Sequence, residues 1–285
     1  MPTINFATKY SDKIAPIYHA NSFVLGKTND EYSFAGAKTV EIPTPVTQPL
    51  QPYSRSGINR YGTPTEMEDT VQTMTLTQDM GAPITIDKGN NNEQMMIKNA
   101  GRMMQLQVRE QNVPTIDKYA IKQFALNAGT IVGLSSAPAK ATIVEIILNA
   151  AAAMDDALIP PEDRYLVISS ASYNLVRLSP EFVGIEALGK EAISKGGVGQ
   201  LGGFNLIKVP ASYLPANCYF LAWHKGSVLV PRKIKDAKLH TDAPGISGAL
   251  MEFRELFDAF VLGARAGGVY AAVASSAVVA EPAIS

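Results

Sequence analysis

The hydrophobic and polar positions of this chain fall into stretches of different period. From Met1 to Lys38 the aromatic residues (Phe6, Tyr10, Tyr18, Phe23, Tyr32, Phe34) are scattered without a sustained stripe, so this stretch reads as a polar, irregular arm. The pattern then changes. VEIPTPVTQPLQPYSRSGINRYGTP carries Pro43, Pro45, Pro49, Pro52 and Pro64, a density that excludes a helix or a central strand. TVQTMTLTQDMGAPITID alternates Val71, Thr73, Thr75 and Thr77 against Gln72, Met74, Leu76 and Gln78, which is strand-like. Together they predict an extended hairpin with little core of its own. Long connections of this kind are functional or disordered, and a hairpin ordered by a neighbouring subunit is the simplest physical answer.

Helical periods follow. Glu93–Gln111 places Met96, Ala100, Met103 and Met104 on one face, broadened by Ile97 and Val108, and predicts a helix about 28 Å long. Pro114 is expected to break it, and Thr115 to restart a helix carrying Ile116, Ala120 and Phe124 as far as Gly129. The methionines read as core filler rather than a ligand stripe. Thr142 and Glu145 have the spacing of a capping box; Ile143, Ile146, Ile147, Ala150, Ala151, Met154 and Leu158 then form a stripe that Pro160-Pro161 ends. A buried strand is expected at Arg164–Ser169 and a short helix at Ser170–Leu178. Further strands are expected at FNLIKV before Pro210, at Cys218–Trp223 and at Val228–Val230. MEFRELFDAFVLG puts Met251, Phe253, Phe257, Ala259 and Val261 on one face at period two. A helical period fits nearly as well, and we assign a strand.

Composition narrows the classes. With 285 residues, 46% hydrophobic and 18% charged, the chain can bury the core of one large or two modest domains. A formal net charge of −1 supplies no global positive field for nucleic acid. The single cysteine, Cys218, leaves no intramolecular disulfide and fits a reducing compartment. The N-terminus lacks an apolar core of the signal-peptide kind, and no uncharged apolar stretch reaches the ~18 residues of a spanning helix, so the expected setting is the cytosol, without a membrane.

Candidate chemistry is sparse. Gly197-x-Gly199-x-x-Gly202 has the spacing of a dinucleotide fingerprint, which works only where a strand enters the glycines and a helix leaves them. Here Glu186–Lys195 reads as helix and Phe204–Val209 as strand, the reverse order, and Val209–Lys235 contains no acid for a ribose. Three histidines exist, His19, His224 and His240. Cys218 and His224 on one strand would stand about 20 Å apart, too far for a nucleophile and its base. Asp155-Asp156 and Glu162-Asp163 read as solvated carboxylates. The run Arg232, Lys233, Lys235, Lys238 and His240, opposed by Asp236, has no interleaved aromatics and reads as a solvated strand or a subunit contact. No catalytic residue, cofactor or metal ligand is assigned, which points away from an enzyme. On the hairpin Arg55 and Arg60 precede Glu66, Glu68 and Asp69, a separation that suits pairing between copies; a solvated loop accounts for the charges alone equally well.

The succession of arm, long hairpin, long helix, capped helix, PPEDRYLVISSASYNLV, GGFNLIKVPASYLP, AWHKGSVLVPRKI and FRELFDAFVLGARAGGVYAAV resembles the major capsid (coat) proteins of tailed bacteriophages, those with the HK97-like fold. The resemblance covers nearly the whole chain and rests on the order of elements. Residues 160–178 look like the strand and helix that open the family's axial domain. Gly199–Pro215 looks like its glycine, apolar strand, proline step, and Phe253–Tyr270 like the closing strands of its peripheral domain. It implies an α+β fold with an N-terminal arm (1–37), an extended loop over an adjacent subunit (38–90), a peripheral domain with a long spine helix (91–139), an axial domain (140–235) and a return to the peripheral domain (236–285). The implied function is structural: self-assembly through hexamers and pentamers into an icosahedral shell enclosing phage double-stranded DNA, contacted weakly and without sequence specificity. Subunit contacts are expected at Arg55, Arg60, Glu66, Glu68 and Asp69 on the loop and at Arg102 and Arg109 on the spine. The arm is too short and irregular for a scaffolding extension, so a separate scaffolding protein and a portal are the implied partners. The implied location is the virion, assembled in the host bacterial cytoplasm. An encapsulin-type compartment shares this fold and is the alternative; a nucleotide-binding cytosolic enzyme built on the Gly197 loop is a remote one.

Overall fold

The computed structural model describes residues 22–32, 34, 38–47, 49–64, 66, 68–88, 100–180, 199–241, 244–245 and 247–275. The first turns of the expected helix over 93–99, the expected helix over 186–195, Gly197 and the tail beyond Ser275 lie outside these residues.

A six-stranded sheet forms the centre. Its strands are β4 (Thr130–Leu134), β5 (Arg164–Ser169), β6 (Gln200–Leu201), β7 (Phe204–Val209), β8 (Cys218–His224) and β13 (Val269–Ala274), in the order β4-β13-β8-β5-β7-β6. β13 runs parallel to β4 and antiparallel to β8; β5 runs parallel to β7 and antiparallel to β8. β13 comes from the segment expected to return to the peripheral part, and β4 from the segment ahead of the expected axial one. Both faces are covered, which is why β5, β8 and β13 read as continuous apolar runs rather than alternating ones. On one face Leu166, Ile168, Phe220, Ala222, Tyr270 and Ala272 pack under the helix Ile143–Asp156 through Ile147, Ala150 and Met154. On the other, Val167, Leu221, Trp223, Val269 and Ala271 pack against Ile116, Ala120, Ile121 and Phe124 of the helix Val113–Leu126.

That second helix, α2, continues a rod that begins with α1 (Ala100–Gln107), and Pro114 does not end it as expected. A π turn over Val108–Asn112 joins them, with the Val113 N–H bonded to the Val108 carbonyl, five residues back. Pro114 falls in the first turn of α2, directly after the π turn, and that wider turn gives its ring room and tolerates the missing N–H. Met103 and Val108 pack against Ile86, Met251 and Phe253, the filler role the spacing suggested.

The helix α3 (Ile143–Asp156) begins without the expected capping box: the Thr142 hydroxyl accepts from the Ala139 N–H at 3.2 Å and does not cap its own helix. Its end is a left-handed turn. Leu158 N–H bonds the Asp155 carbonyl and Ile159 N–H the Met154 carbonyl, with Leu158 at φ +56° and 90% exposed. The buried Arg164 holds this turn from below, donating to the carbonyls of Pro160 (2.8 Å) and Ile159 and pairing at 2.7 Å with Asp155, whose carboxylate is solvated, as expected, but also ion-paired. A leucine in the left-handed region is strained where glycine is not. Leu158→Gly should therefore stabilise the chain by about 1 kcal/mol, seen as a Tm increase of roughly 2–4 °C.

The glycine loop is a hairpin turn. Gly202 and Gly203 take φ of +57° and +81° between the paired Leu201 and Phe204, the left-handed pair of a two-residue turn that only small residues adopt easily. The described part of the arm is irregular, as expected, but it is tied to the core. Asp117, a buried residue of α2, accepts from the Ser22 hydroxyl and the Phe23 N–H, both at 2.6 Å; Trp223 Nε1 donates to the Lys27 carbonyl; and Val24 is fully buried. Residues 22–29 are a strap over the α2 side of the core. Burial pushes the Asp117 carboxyl up, against the opposing pull of those hydrogen bonds.

A three-stranded antiparallel sheet stands beside α1: β10 (Arg232–His240), β11 (Gly248–Phe257) and β3 (Gln78–Asp87), with β11 in the middle. Met251, Phe253 and Phe257 share its buried face, the period-two reading of that segment. The strand-like alternation after Asp69 is divided between two sheets. β2 (Asp69–Thr75) pairs with β1 (Thr39–Pro45), whereas β3 pairs with β11, so the two-stranded ribbon ends at Thr75.

Candidate functional site

The ribbon β1–β2 projects from the body with its even-numbered residues facing inward. Ile42, Met74 and Leu76 join Phe34, Leu229, Leu256 and Leu262 in a small core at its base. Two side chains then do what backbone pairing does elsewhere. The Gln72 amide donates to the Val261 carbonyl at 3.0 Å and accepts from the Gly263 N–H at 2.7 Å, filling the place of a strand peptide. Asp258, 4% exposed, sits in the corner between β11 and the short strand β12 (Phe260–Val261). Its carboxylate accepts four hydrogen bonds, each 2.8 Å: from Thr77 N–H, the Thr77 hydroxyl, the Tyr119 hydroxyl and Ala259 N–H. It ties the ribbon's exit, the long helical rod and the β11–β12 corner to one point.

Burial, and then the Asp258 carboxylate, push the Tyr119 hydroxyl up to about 12 from 10.0. The folded state thus holds this proton more tightly than the unfolded chain. Its stabilisation is complete below pH 10 and disappears as pH rises through 12. The melting temperature should accordingly fall between pH 10 and pH 12, and Tyr119→Phe should flatten part of that fall while costing about 1 kcal/mol at neutral pH.

Beyond Pro45 and Asp69 the chain forms a compact tip. Val46 N–H bonds the Glu68 carbonyl, Ser54 N–H the Arg60 carbonyl, and the Tyr53 and Tyr61 rings meet edge to face at 5.0 Å. Arg55, Arg60, Glu66, Glu68 and Asp69 are all exposed there, Arg60 donating to the Gly57 carbonyl at 3.3 Å. Arg109 is exposed on the π turn; Arg102 lies in α1, with its side chain outside the described residues. None of the six described side chains makes an ion pair within the described residues. The structure gathers the five hairpin charges on one projection and leaves Arg109 apart from them. Sequence reasoning did not pick out the apolar members of the same projection: Leu50 (101% exposed), Ile58 (94%) and Tyr61 (85%), with Val46, Tyr53 and Val71 partly exposed. Their signal was available as apolar residues inside a proline-rich connection. Asp258 also had a signal, a lone acid inside the apolar run LFDAFVLG; Gln72 had none.

The other sequence candidates are structurally engaged. Burial pushes the Cys218 thiol up to about 12, and it donates to the Phe220 carbonyl. His224 Nδ1 accepts from Gly226 N–H. Of the basic run, Arg232 donates from one terminal nitrogen to both carboxylate oxygens of Glu255 at 2.9 Å, Lys238 pairs with Asp236, and His240 with Glu252. No helix among the described residues is long and apolar enough to cross a membrane.

No family model matches the chain, and no curated protein matches it in sequence. Solved structures do. A chain of Mycobacterium phage Che8 superposes with a TM-score of 0.77 at 17% identity, over 94% of this chain and 97% of that one. The capsid structure of the cyanophage P-SCSP1u gives 0.78 at 14% identity, over 95% and 94%. The asymmetric unit of the bacteriophage PhiM1 mature capsid gives 0.74 at 11%, over 96% and 93%. Likeness over both whole chains at such low identity is likeness of fold. The chain has the α+β fold of these phage capsid structures, the HK97-like fold that its succession of elements resembles.

Proposed function

We propose that this chain is the major capsid protein of a tailed phage, a structural subunit that assembles through hexamers and pentamers into an icosahedral shell around double-stranded DNA. One observation carries the reading beyond the likeness of fold: the hairpin is clamped rigidly at its base by Asp258 and Gln72, yet its distal part exposes Leu50, Ile58 and Tyr61 beside five unpaired charges. Large apolar side chains left almost fully exposed beside charges on one projection suit a surface that another chain covers. In this reading the hairpin lies over an adjacent subunit, with Arg55, Arg60, Glu66, Glu68 and Asp69 in subunit contacts and Arg102 and Arg109 contributing from the rod. The near-neutral chain contains DNA without gripping it, a separate scaffolding protein and a portal complete the particle, and assembly takes place in the host cytoplasm before the shell becomes part of the virion.

The test is negative-stain electron microscopy with mass photometry on the purified chain, alone and then co-expressed with its genomic neighbours. Closed shells or uniform rings of five or six support the reading; shells that hold a cargo enzyme in place of DNA shift it to an encapsulin-type compartment. A monomer or dimer in both preparations overturns it.

A further inference from the structure

The inner face of β11 carries Met251, Phe253 and Phe257 in one row, and Glu255 stands in that row between the two phenylalanines, 9% exposed. A buried ion pair recovers its desolvation cost only where its hydrogen bonding is complete, so an apolar residue there would serve stability as well or better. Here the pair is incomplete. Glu255 Oε1 accepts from Arg232 Nη2 at 2.9 Å and from Asn112 Nδ2 at 3.3 Å. Oε2 accepts from Arg232 Nη2 alone among the described residues, and Arg232 Nε is buried without a partner among them.

A cleft of about 160 Å³ lies beside this carboxylate, between the rod and the sheet. The buried Ile116, Phe253 and Phe257 give it an apolar wall, and Asn112 and Thr115 line it from the π turn and the first turn of α2. An apolar pocket with a few convergent polar groups is the usual form of a small-molecule site, and π turns recur at such sites. The Thr115 hydroxyl donates its hydrogen to the Gln111 carbonyl at 2.6 Å, so it offers a ligand only an acceptor, as Glu255 does. The space matches one aromatic ring, since a cavity of ~150 Å³ binds benzene. Glu255 repels an anion and Arg232 a cation, which leaves a neutral ligand. We propose that the cleft binds a small neutral aromatic molecule bearing a hydrogen-bond donor, its ring against Ile116, Phe253 and Phe257 and its donor on the Glu255 carboxylate. Such a ligand bridges the rod and β11 and stabilises their junction. The site goes beyond the shell reading and does not depend on it.

Phenol is the probe. Saturation-transfer NMR on the full chain should show it binding with a Kd of about 1 mM, and scanning calorimetry a Tm raised by roughly 2–4 °C at a tenfold excess over that Kd. Toluene, of similar size but without the donor, should bind about threefold more weakly, and benzoate roughly tenfold more weakly or worse. Ala82 lines the cleft, half-buried on β3, and Ala82→Leu should fill it and weaken phenol roughly tenfold with the far-UV spectrum unchanged. Thr115→Val, at the exposed rim, should weaken phenol about threefold. Absence of saturable phenol binding, benzoate binding as tightly as phenol, or a phenol affinity unchanged by Ala82→Leu overturns the site. If Ala82→Leu fails to fold, an unchanged affinity in Thr115→Val overturns it instead. The shell reading is untouched by any of these outcomes, because none of them reads assembly.

Discussion

Asp258→Ala is expected to destabilise the chain by about 3–5 kcal/mol, lowering Tm by roughly 10 °C. The loss is large because one carboxylate serves four donors at a corner that is 4% exposed. Alanine leaves the N–H groups of Thr77 and Ala259 and the hydroxyls of Thr77 and Tyr119 without their acceptor, and water, which reaches the exposed Thr77 and the half-buried Tyr119, replaces only part of what the carboxylate supplied. Asp258→Asn keeps the shape and one acceptor oxygen but turns an NH2 group toward the donors, so it should cost a substantial part of the same amount. Differential scanning calorimetry measures both. Because Asp258 joins the exit of the ribbon to the rod through Thr77 and Tyr119, limited proteolysis should also show the ribbon cleaved faster in the alanine variant. An Asp258→Ala protein that melts within about 1 kcal/mol of wild type would remove the carboxylate as the anchor of the hairpin.

The second large effect is on assembly alone. Val46 and Glu68 already form a hydrogen-bonded pair, so residues 47–67 can be replaced by Asn-Gly, a two-residue turn whose twist suits that position. Ile42, Gln72, Met74 and Asp258 stay in place, and Tm should remain within roughly 2 °C of wild type, because none of the described residues of the removed tip belongs to the buried core. Shell formation should be abolished, since Leu50, Ile58 and Tyr61 go together with Arg55, Arg60 and Glu66. Calorimetry with electron microscopy separates the two readouts. Normal shells from this variant would sink the role proposed for the hairpin.

Local order was legible along most of the chain. β5 and β7 lie where their apolar runs end, and the strand assigned to the Met251–Phe257 segment formed, although its period alone fitted a helix nearly as well and the run through Ala259 and Val261 is divided between β11 and β12. Where the reading failed, a distant partner decided. Pro114 breaks a helix by local rules, but a π turn five residues long absorbs it within a rod packed on the sheet. Phe23 and Phe34 looked like scattered aromatic residues of an arm until Asp117, Tyr213 and Phe260 supplied something to bond or pack against. The charges of the hairpin were read and its exposed leucine, isoleucine and tyrosine were not, because an apolar residue in a sequence is expected to be buried until the fold shows nothing above it.

By itself the sequence determined most of the strands and helices, though not β4, together with the near-neutral charge and the prolines that bar the hairpin from forming a helix, because period, charge and the missing proline N–H belong to single residues and their immediate neighbours. Only the tertiary structure decided that β13 enters the sheet between β4 and β8, that Asp258 gathers four donors, and that β2 pairs with β1 alone among the described strands. Those are properties of groups brought together across long separations in the chain. Whether such a group is satisfied, buried or left free depends on what covers it, and no local pattern records that.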